Sequence, residues 1–381
     1  KMRIRNKKCS NQIFNLRLAR IVTGTMLAIT SIGLILYQLQ NIDKTEKITK
    51  KINQSNSLVS ASPVALSEKI DVSQLVYNIA IAPKFTKSKN LQAIVNEVVN
   101  LIKGKKFPTQ PLSITIINAK TGEYAGYQQE KLRYPASVVK LFWMVYLYAQ
   151  IEQGILSEAE FTQYLDAMIK KSDNEASSYI IDKITKTEYK KNLKPEEYKK
   201  WQEKRLKLNQ YFQKAGYDKI NISQKTFPIP SLKLPRAKGS DLKLRGNYQK
   251  PIRNKISTQQ AARLLYEIYK NQSISAIYSP KMTDLLTINA ETRNIKKDDK
   301  NPNEFNPVRG FLSASLPNNI HFKGKAGWTS GVRNDAAIIT TPDGKAAYIL
   351  VIFGEDSSYA YNWKIFPQIS RLVFNRMIDN K

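Results

Sequence analysis

Hydrophobic positions follow three different patterns along the chain. Residues 21–40 (IVTGTMLAITSIGLILYQLQ) form an unbroken stretch without a charge. Leu91, Ile94, Val95, Val98, Val99 and Ile102 then recur at helical spacing, and Gly104 follows as a stop, so an amphipathic helix is expected there. Residues 112–117 (LSITII) read as a strand, 118–122 as a turn and 124–128 as the returning strand of a hairpin. Near the C-terminus, 320–326, 335–340 and 346–353 read as strands, with Pro342-Asp343-Gly344 turning between the last two. Residues 362–378 fit a closing helix.

Between these two groups of strands, residues 137–286 are mostly helical in pattern, and 257–269 (STQQAARLLYEIY) begins with a capping signature. The expected fold class is therefore α+β, an α/β sandwich. One antiparallel sheet is built from both ends of the domain, with flanking helices and an inserted all-helical subdomain. A cleft between the two parts is the expected place for a site.

Charge changes the picture at two places. Residues 1–20 carry Lys1, Arg3, Arg5, Lys7, Lys8, Arg17 and Arg20 and no acidic residue. A twenty-residue helix spans about 30 Å, the thickness of a bilayer core. The flanking charges predict a cytoplasmic N-terminus and an exported remainder. We read 1–20 as a basic cytoplasmic tail, 21–40 as a transmembrane anchor, 41–88 as a polar stalk in which 72–83 is a candidate short ordered segment, and 89–381 as the folded domain. A cleaved signal peptide is the alternative, disfavoured because no small-x-small site follows the apolar stretch. The expected location is a bacterial inner membrane, single-pass, with the domain periplasmic or otherwise extracytoplasmic.

The second place is 183–255, where 21 Lys or Arg face 6 Asp or Glu. The whole chain has a formal charge of +30. With this topology the expected partners are the membrane and anionic cell-wall polymers rather than nucleic acid. There is one cysteine, Cys9, and one histidine, His321. That pair disfavours a zinc site and a histidine-based triad, so no metal or other cofactor is expected, and a lysine or carboxylate is the expected base.

Three short motifs carry candidate chemistry. Ser137-Val138-Val139-Lys140 places a hydroxyl and an amine three residues apart, on one face of a helix. A lysine with a lowered pKa can take the proton that makes serine nucleophilic. Ser172-Asp173-Asn174 follows the amphipathic segment 161–171 and reads either as a helix cap or as a proton relay with an amide-binding side chain. Lys325-Ala326-Gly327, followed by Trp328, lies on a strand after His321, where a lysine suits a substrate carboxylate. Two decoys match by chance: Ser240-Asp241-Leu242-Lys243, and Lys120-Thr121-Gly122 in a hairpin turn.

The ordered set Ser-x-x-Lys, Ser-Asp-Asn and Lys-x-Gly resembles that of class A β-lactamases and penicillin-binding proteins. Residues 134–137, 172–181, 257–269, 312–327 and 334–339 extend the resemblance over about residues 90–381, with the lysine-rich insert as the main gap. It implies an acyl-enzyme on Ser137 with β-lactams or D-Ala-D-Ala-type peptides. Lys140 would be the base and Ser172 the proton relay. Asn174 would bind an amide and Lys325 a carboxylate, beside Gly327. The backbone N–H groups of Ser137 and Trp328 would form the oxyanion hole.

Three departures bear on rate. Phe227-Pro228 stands where a deacylating Glu-Pro is expected. Ala326 replaces a hydroxyl residue, with Thr329 or Ser330 as possible substitutes. The stretch between Ser137 and Ser172 is short. Efficient β-lactam hydrolysis is therefore doubtful, and a D,D-peptidase or penicillin-binding protein acting on cell wall is the alternative. A non-catalytic wall-binding module on a degenerate hydrolase fold is the third reading. A glutaminase-like hydrolase fits the second and third motifs less well.

Overall fold

The computed structural model describes residues 75–78, 82–301 and 304–379. The basic tail, the anchor at 21–40 and most of the stalk lie outside the described residues. Among those described, no helix is long and apolar enough to cross a membrane.

One six-stranded sheet organises the domain. Its strands are β1 (Thr86–Lys87), β2 (Leu112–Asn118), β3 (Glu123–Tyr127), β4 (His321–Thr329), β5 (Val332–Thr340) and β6 (Ala347–Gly354). The order across the sheet is β1-β3-β2-β6-β5-β4. Strands from the two ends of the domain meet at the β2–β6 pair, where Thr115 lies opposite Val351. Every pairing is antiparallel except β1 with β3. The expected α+β sheet built from both ends is thus present, with one short parallel edge strand added.

Alternation along the strands gives each face its own core. Ala336, Ile338, Ile349, Val351 and Phe353 pack with the helices that follow Ser137. Ala337, Ile339, Leu350 and Ile352 pack instead against α1 (Lys89–Gly104) and the closing helix (Ile365–Asp379). Strand β5 begins three residues earlier than its hydrophobic pattern suggests. Arg333, Asn334 and Asp335 are all buried there, and Arg333 donates to the carbonyls of Tyr359, Gly310 and Ala360. Buried polar residues with backbone partners erase the apolar alternation.

The inserted part is helical. A 3-10 turn (Ala136–Val139) runs into α2 (Lys140–Glu152), and α3 (Glu158–Lys170) and α4 (Asn174–Thr185) follow. Helix α2 is apolar all round and buried along its length except at Glu152, as a central helix must be. The lysine-rich insert supplies α5 (Pro195–Lys214) and α6 (Gly239–Arg245). Helix α7 (Thr258–Tyr269) opens on the capping box of Ser257 and Gln260 and returns the chain to the sheet.

The packed domain reaches further back than residue 89. Leu75 and Tyr77, in the stretch read as stalk, are 6% and 2% exposed. Tyr77 donates to buried Glu267 at 2.6 Å, and Tyr217 donates to the same carboxylate at 2.5 Å.

Candidate active site

Ser137 sits in the 3-10 turn where the chain enters α2. Ala136 before it has φ +47°, a left-handed conformation that costs a non-glycine residue on the order of 1–2 kcal/mol. Such conformations cluster at functional sites, and Ser172 has another, at φ +56°. Ser137 is partly exposed, and its Oγ makes no hydrogen bond among the described residues.

Lys140 is fully buried in α2. Its Nζ donates to Ser172 O at 2.5 Å, Asn174 Oδ1 at 3.0 Å, Ser172 Oγ at 3.3 Å and Asp173 O at 3.4 Å. The amine is thus anchored to the second motif rather than to Ser137 Oγ. Burial first, and then the Lys325 ammonium, hold Lys140 well below the usual lysine range, with Asp173 pulling partly the other way. A buried amine lowered in this way gives up its charge more readily and can then accept a proton.

Lys325 comes from β4, on the opposite wall. Its Nζ donates to Ser172 Oγ at 2.9 Å and to Ala326 O at 2.9 Å. Burial lowers it to about 7, partly offset by Asp335. Ser172 Oγ therefore lies between two buried lysines. Asp173 caps α4 by accepting from Ala176 N at 2.7 Å, so the cap and the site are parts of one motif.

Gly327 fixes how closely β4 approaches the nucleophile turn. A Cβ there would lie 2.8 Å from Pro135 O, 2.9 Å from Ser137 N and 3.1 Å from Val138 N. Only glycine permits this contact between strand and turn. Asn334, opposite Gly327 on β5, ties the same corner by donating to Tyr134 O at 2.9 Å. Trp328 follows, 41% exposed, its indole donating to Ala360 O at 2.7 Å. Beside it is a cavity of about 450 Å³ lined in part by Phe305, Arg309 and Trp363. A larger cavity, about 720 Å³, lies between α1 and the closing helix and contains none of these residues.

All seven residues singled out from the motifs belong to this corner: Ser137, Lys140, Ser172, Asn174, Lys325, Gly327 and Trp328. The decoys do not. Asp241 pairs with buried Arg205 at 3.0 Å, and Ser240 Oγ accepts from Lys190 N at 3.1 Å, which are structural roles. Lys120-Thr121-Gly122 is the β2–β3 turn. Thr329 Oγ1 accepts from Gly331 N at 3.3 Å and closes the β4–β5 turn.

The loop carrying Phe227 is pinned at its neck. Asn254 Nδ2 donates to Gln224 O at 2.7 Å, and Gln224 N donates to Asn254 Oδ1 at 2.9 Å. Glu175, which lies outside the three motifs, also holds this loop. Its carboxylate accepts from Ser231 N at 3.0 Å and from Ser231 Oγ, clamping this loop to the start of α4. The only signal for it was adjacency to Asn174. Among the described residues no group of His, Cys, Asp and Glu is arranged to hold a metal ion.

Comparison with known proteins matches this geometry to one family. The model of the β-lactamase enzyme family matches residues 90–164 and 157–377. No curated protein matches the chain. Among solved structures, a β-lactamase from Sphaerobacter thermophilus is 17% identical at a TM-score of 0.51, over 75% of this chain and 97% of that one. A mutant of PBP-A, solved as an acyl-enzyme complex with penicillin-G, is 17% identical at 0.52, over 78% and 99%. The extended-spectrum β-lactamase TLA-1 is 13% identical at 0.52, over 76% and 100%. At such identities the likeness is one of fold.

Proposed function

The chain belongs to the β-lactamase enzyme family, and from that premise we propose that it is a serine acyl-transfer enzyme whose nucleophile is Ser137. Its substrates are β-lactams or peptides ending in D-Ala-D-Ala. The observation that carries this reading is the convergence of two buried lysines on Ser172 Oγ, next to the turn that bears Ser137.

The sequence of steps follows from the proton positions. Neutral Lys140 takes the proton of Ser137 Oγ as that oxygen bonds to the substrate carbonyl carbon. The backbone N–H groups of Ser137 and Trp328 stabilise the negative oxygen that develops. Collapse of this intermediate breaks the C–N bond. The leaving nitrogen receives its proton through Ser172, whose hydroxyl is in reach of both amines. Protonated Lys325 holds a substrate carboxylate, and Asn174 holds an amide.

Deacylation is slow, because Phe227 stands where a water-activating glutamate is expected. Loss of a general base costs about 10²–10⁴-fold in rate. This favours a penicillin-binding or D,D-peptidase role over rapid β-lactam hydrolysis. The uncharged stretch at 21–40 supports placing the domain on the outer side of a cell membrane.

The test is to incubate the protein with penicillin-G and follow its intact mass, with Ser137→Ala as control. A persistent adduct absent from the variant is expected. No adduct with the drug left intact would overturn the proposal and leave the wall-binding module. Rapid drug loss without an adduct would instead make it an efficient β-lactamase.

A further inference from the structure

The loop between Gln224 and Asn254 encloses a cavity of about 250 Å³ whose lining includes Arg236, Arg245, Arg253 and Tyr248, and no carboxylate. None of the three arginines forms an ion pair among the described residues. Each guanidinium lies over an aromatic ring instead. Arg236 is 5.4 Å from the Tyr248 ring, Arg245 is 5.2 Å from Phe227, and Arg253 is 5.4 Å from Tyr134. Aromatic faces orient a guanidinium without neutralising it.

Arg245 is the inner member. One of its terminal nitrogens donates to Lys225 O at 3.1 Å, and its Nε is buried without a hydrogen-bond partner. A buried donor left unpaired is costly. Arg236 and Arg253 are exposed, so the cavity is open to an anion that would sit beside all three guanidinium groups. Asp241, whose charge is felt by Arg245, pairs through Oδ1 with Arg205 rather than with any of the three.

Two of the aromatic rings belong to segments that also reach the candidate site. Tyr134, which carries Arg253, lies three residues before Ser137, and its carbonyl is held by Asn334 of β5. Phe227, which carries Arg245, lies in the loop that Ser231 ties to Glu175, the neighbour of Asn174. The guanidinium fork matches a carboxylate in shape and charge.

We propose that this pocket binds a second carboxylate of the acyl-donor substrate, separate from the one held by Lys325, and so makes the enzyme selective for acidic acyl groups. The proposal rests on the acyl-transfer reading above.

The test compares acylation of Ser137 by penicillin-G and by its α-carboxy derivative, which differ by one carboxylate on the acyl side chain. Both are run on the full protein and on the R236Q/R253Q variant, whose two arginines are exposed and form no ion pair among the described residues. The dicarboxylate is expected to acylate the native protein about tenfold faster, the size of one charge-assisted hydrogen bond, and to lose that advantage in the variant. Equal rates in the native protein, or an advantage that survives in the variant, would overturn the proposal.

Thermal unfolding with inorganic phosphate against chloride, at matched ionic strength, gives a second readout. If neither penicillin acylates, the acyl-transfer reading fails. The pocket is then judged by phosphate stabilising the native protein more than the variant, and no difference would sink it as an anion site. Phosphate stabilisation without a penicillin preference would mean a free-anion site and would also refute the substrate role.

Discussion

Gly327 offers the sharpest test of the oxyanion corner. Replacing it with alanine puts a methyl group 2.8 Å from Pro135 O and 2.9 Å from Ser137 N. Ordinary contact begins near 3.4 Å, so strand and turn must part by about 0.6 Å. Neither side is a flexible side-chain tip, since all three close atoms belong to the backbone. Under the proposed mechanism, the shift displaces the N–H groups of Ser137 and Trp328 from the oxyanion they would share. Loss of one such donor costs about 10²–10³-fold in rate. Overpacking of this size costs about 1–3 kcal/mol of stability, which the fold should survive. The assay is the rate constant for penicillin adduct formation by intact mass, with thermal unfolding as the check that Gly327→Ala remains folded. A fall of about 10²-fold or more is expected. A folded variant that acylates within a few-fold of the native rate would refute the argument that this contact builds the oxyanion hole.

Three further outcomes follow from the site. Lys325 titrates near 7, and its charged form falls as pH rises, so acylation by carboxylate-bearing drugs should weaken on the alkaline side of about 7. Lys325→Arg should move that limb upward, and an unchanged profile would mean that Lys325 does not bind the carboxylate. Phe227→Glu supplies a carboxylate where the family's base is expected, and the adduct's lifetime should shorten by at least about 10²-fold, read by mass after removal of excess drug. An unchanged lifetime would mean that position 227 does not face the acyl group. Tyr77→Phe removes one of two tyrosine donors to buried Glu267 and should cost about 1–3 kcal/mol in urea unfolding. No measurable loss would show that the segment before β1 is only loosely attached.

What the sequence made legible were features with a local signature. The helix at Leu91–Ile102, the strands at 112–117 and 346–353 and the capping box at Ser257 each follow from periodicity or end chemistry. The three motifs could be placed because each sits at an element's start or on a strand. Long-range pairing had no such signature. Tyr77 reaches Glu267 across 190 positions, so the sequence marked 72–83 only as a short ordered segment within a stalk and gave no sign of what it packs against. The i,i+3 spacing of Ser137 and Lys140 suggested a direct hydrogen bond. Four acceptors on the second motif hold the amine instead, because a buried ammonium needs several. Arg333 and Asn334 hid the start of β5 because their partners are backbone groups elsewhere in the chain. The arginine pocket was hidden for the opposite reason: lysines and arginines throughout 183–255 gave no sign of which three would face one another.

The order of the sheet also constrains the timing of biogenesis. The middle of the sheet is a junction between β2, from the first group of strands made, and β6, the last, with α2 to α7 emerging between them. Until β6 appears, β2 has its partner on one side only, and its other edge, bearing the segment LSITII, is uncovered. Such segments are prone to pair with other chains. Long sequence separation also slows folding, since loop closure must precede the contacts that reward it. A chain cut short after Thr340 would lack the sheet's central strand rather than an edge. For this protein a late stop codon should therefore produce an aggregating species, while the same number of residues removed from the α5–α6 region would leave the sheet's own pairing intact.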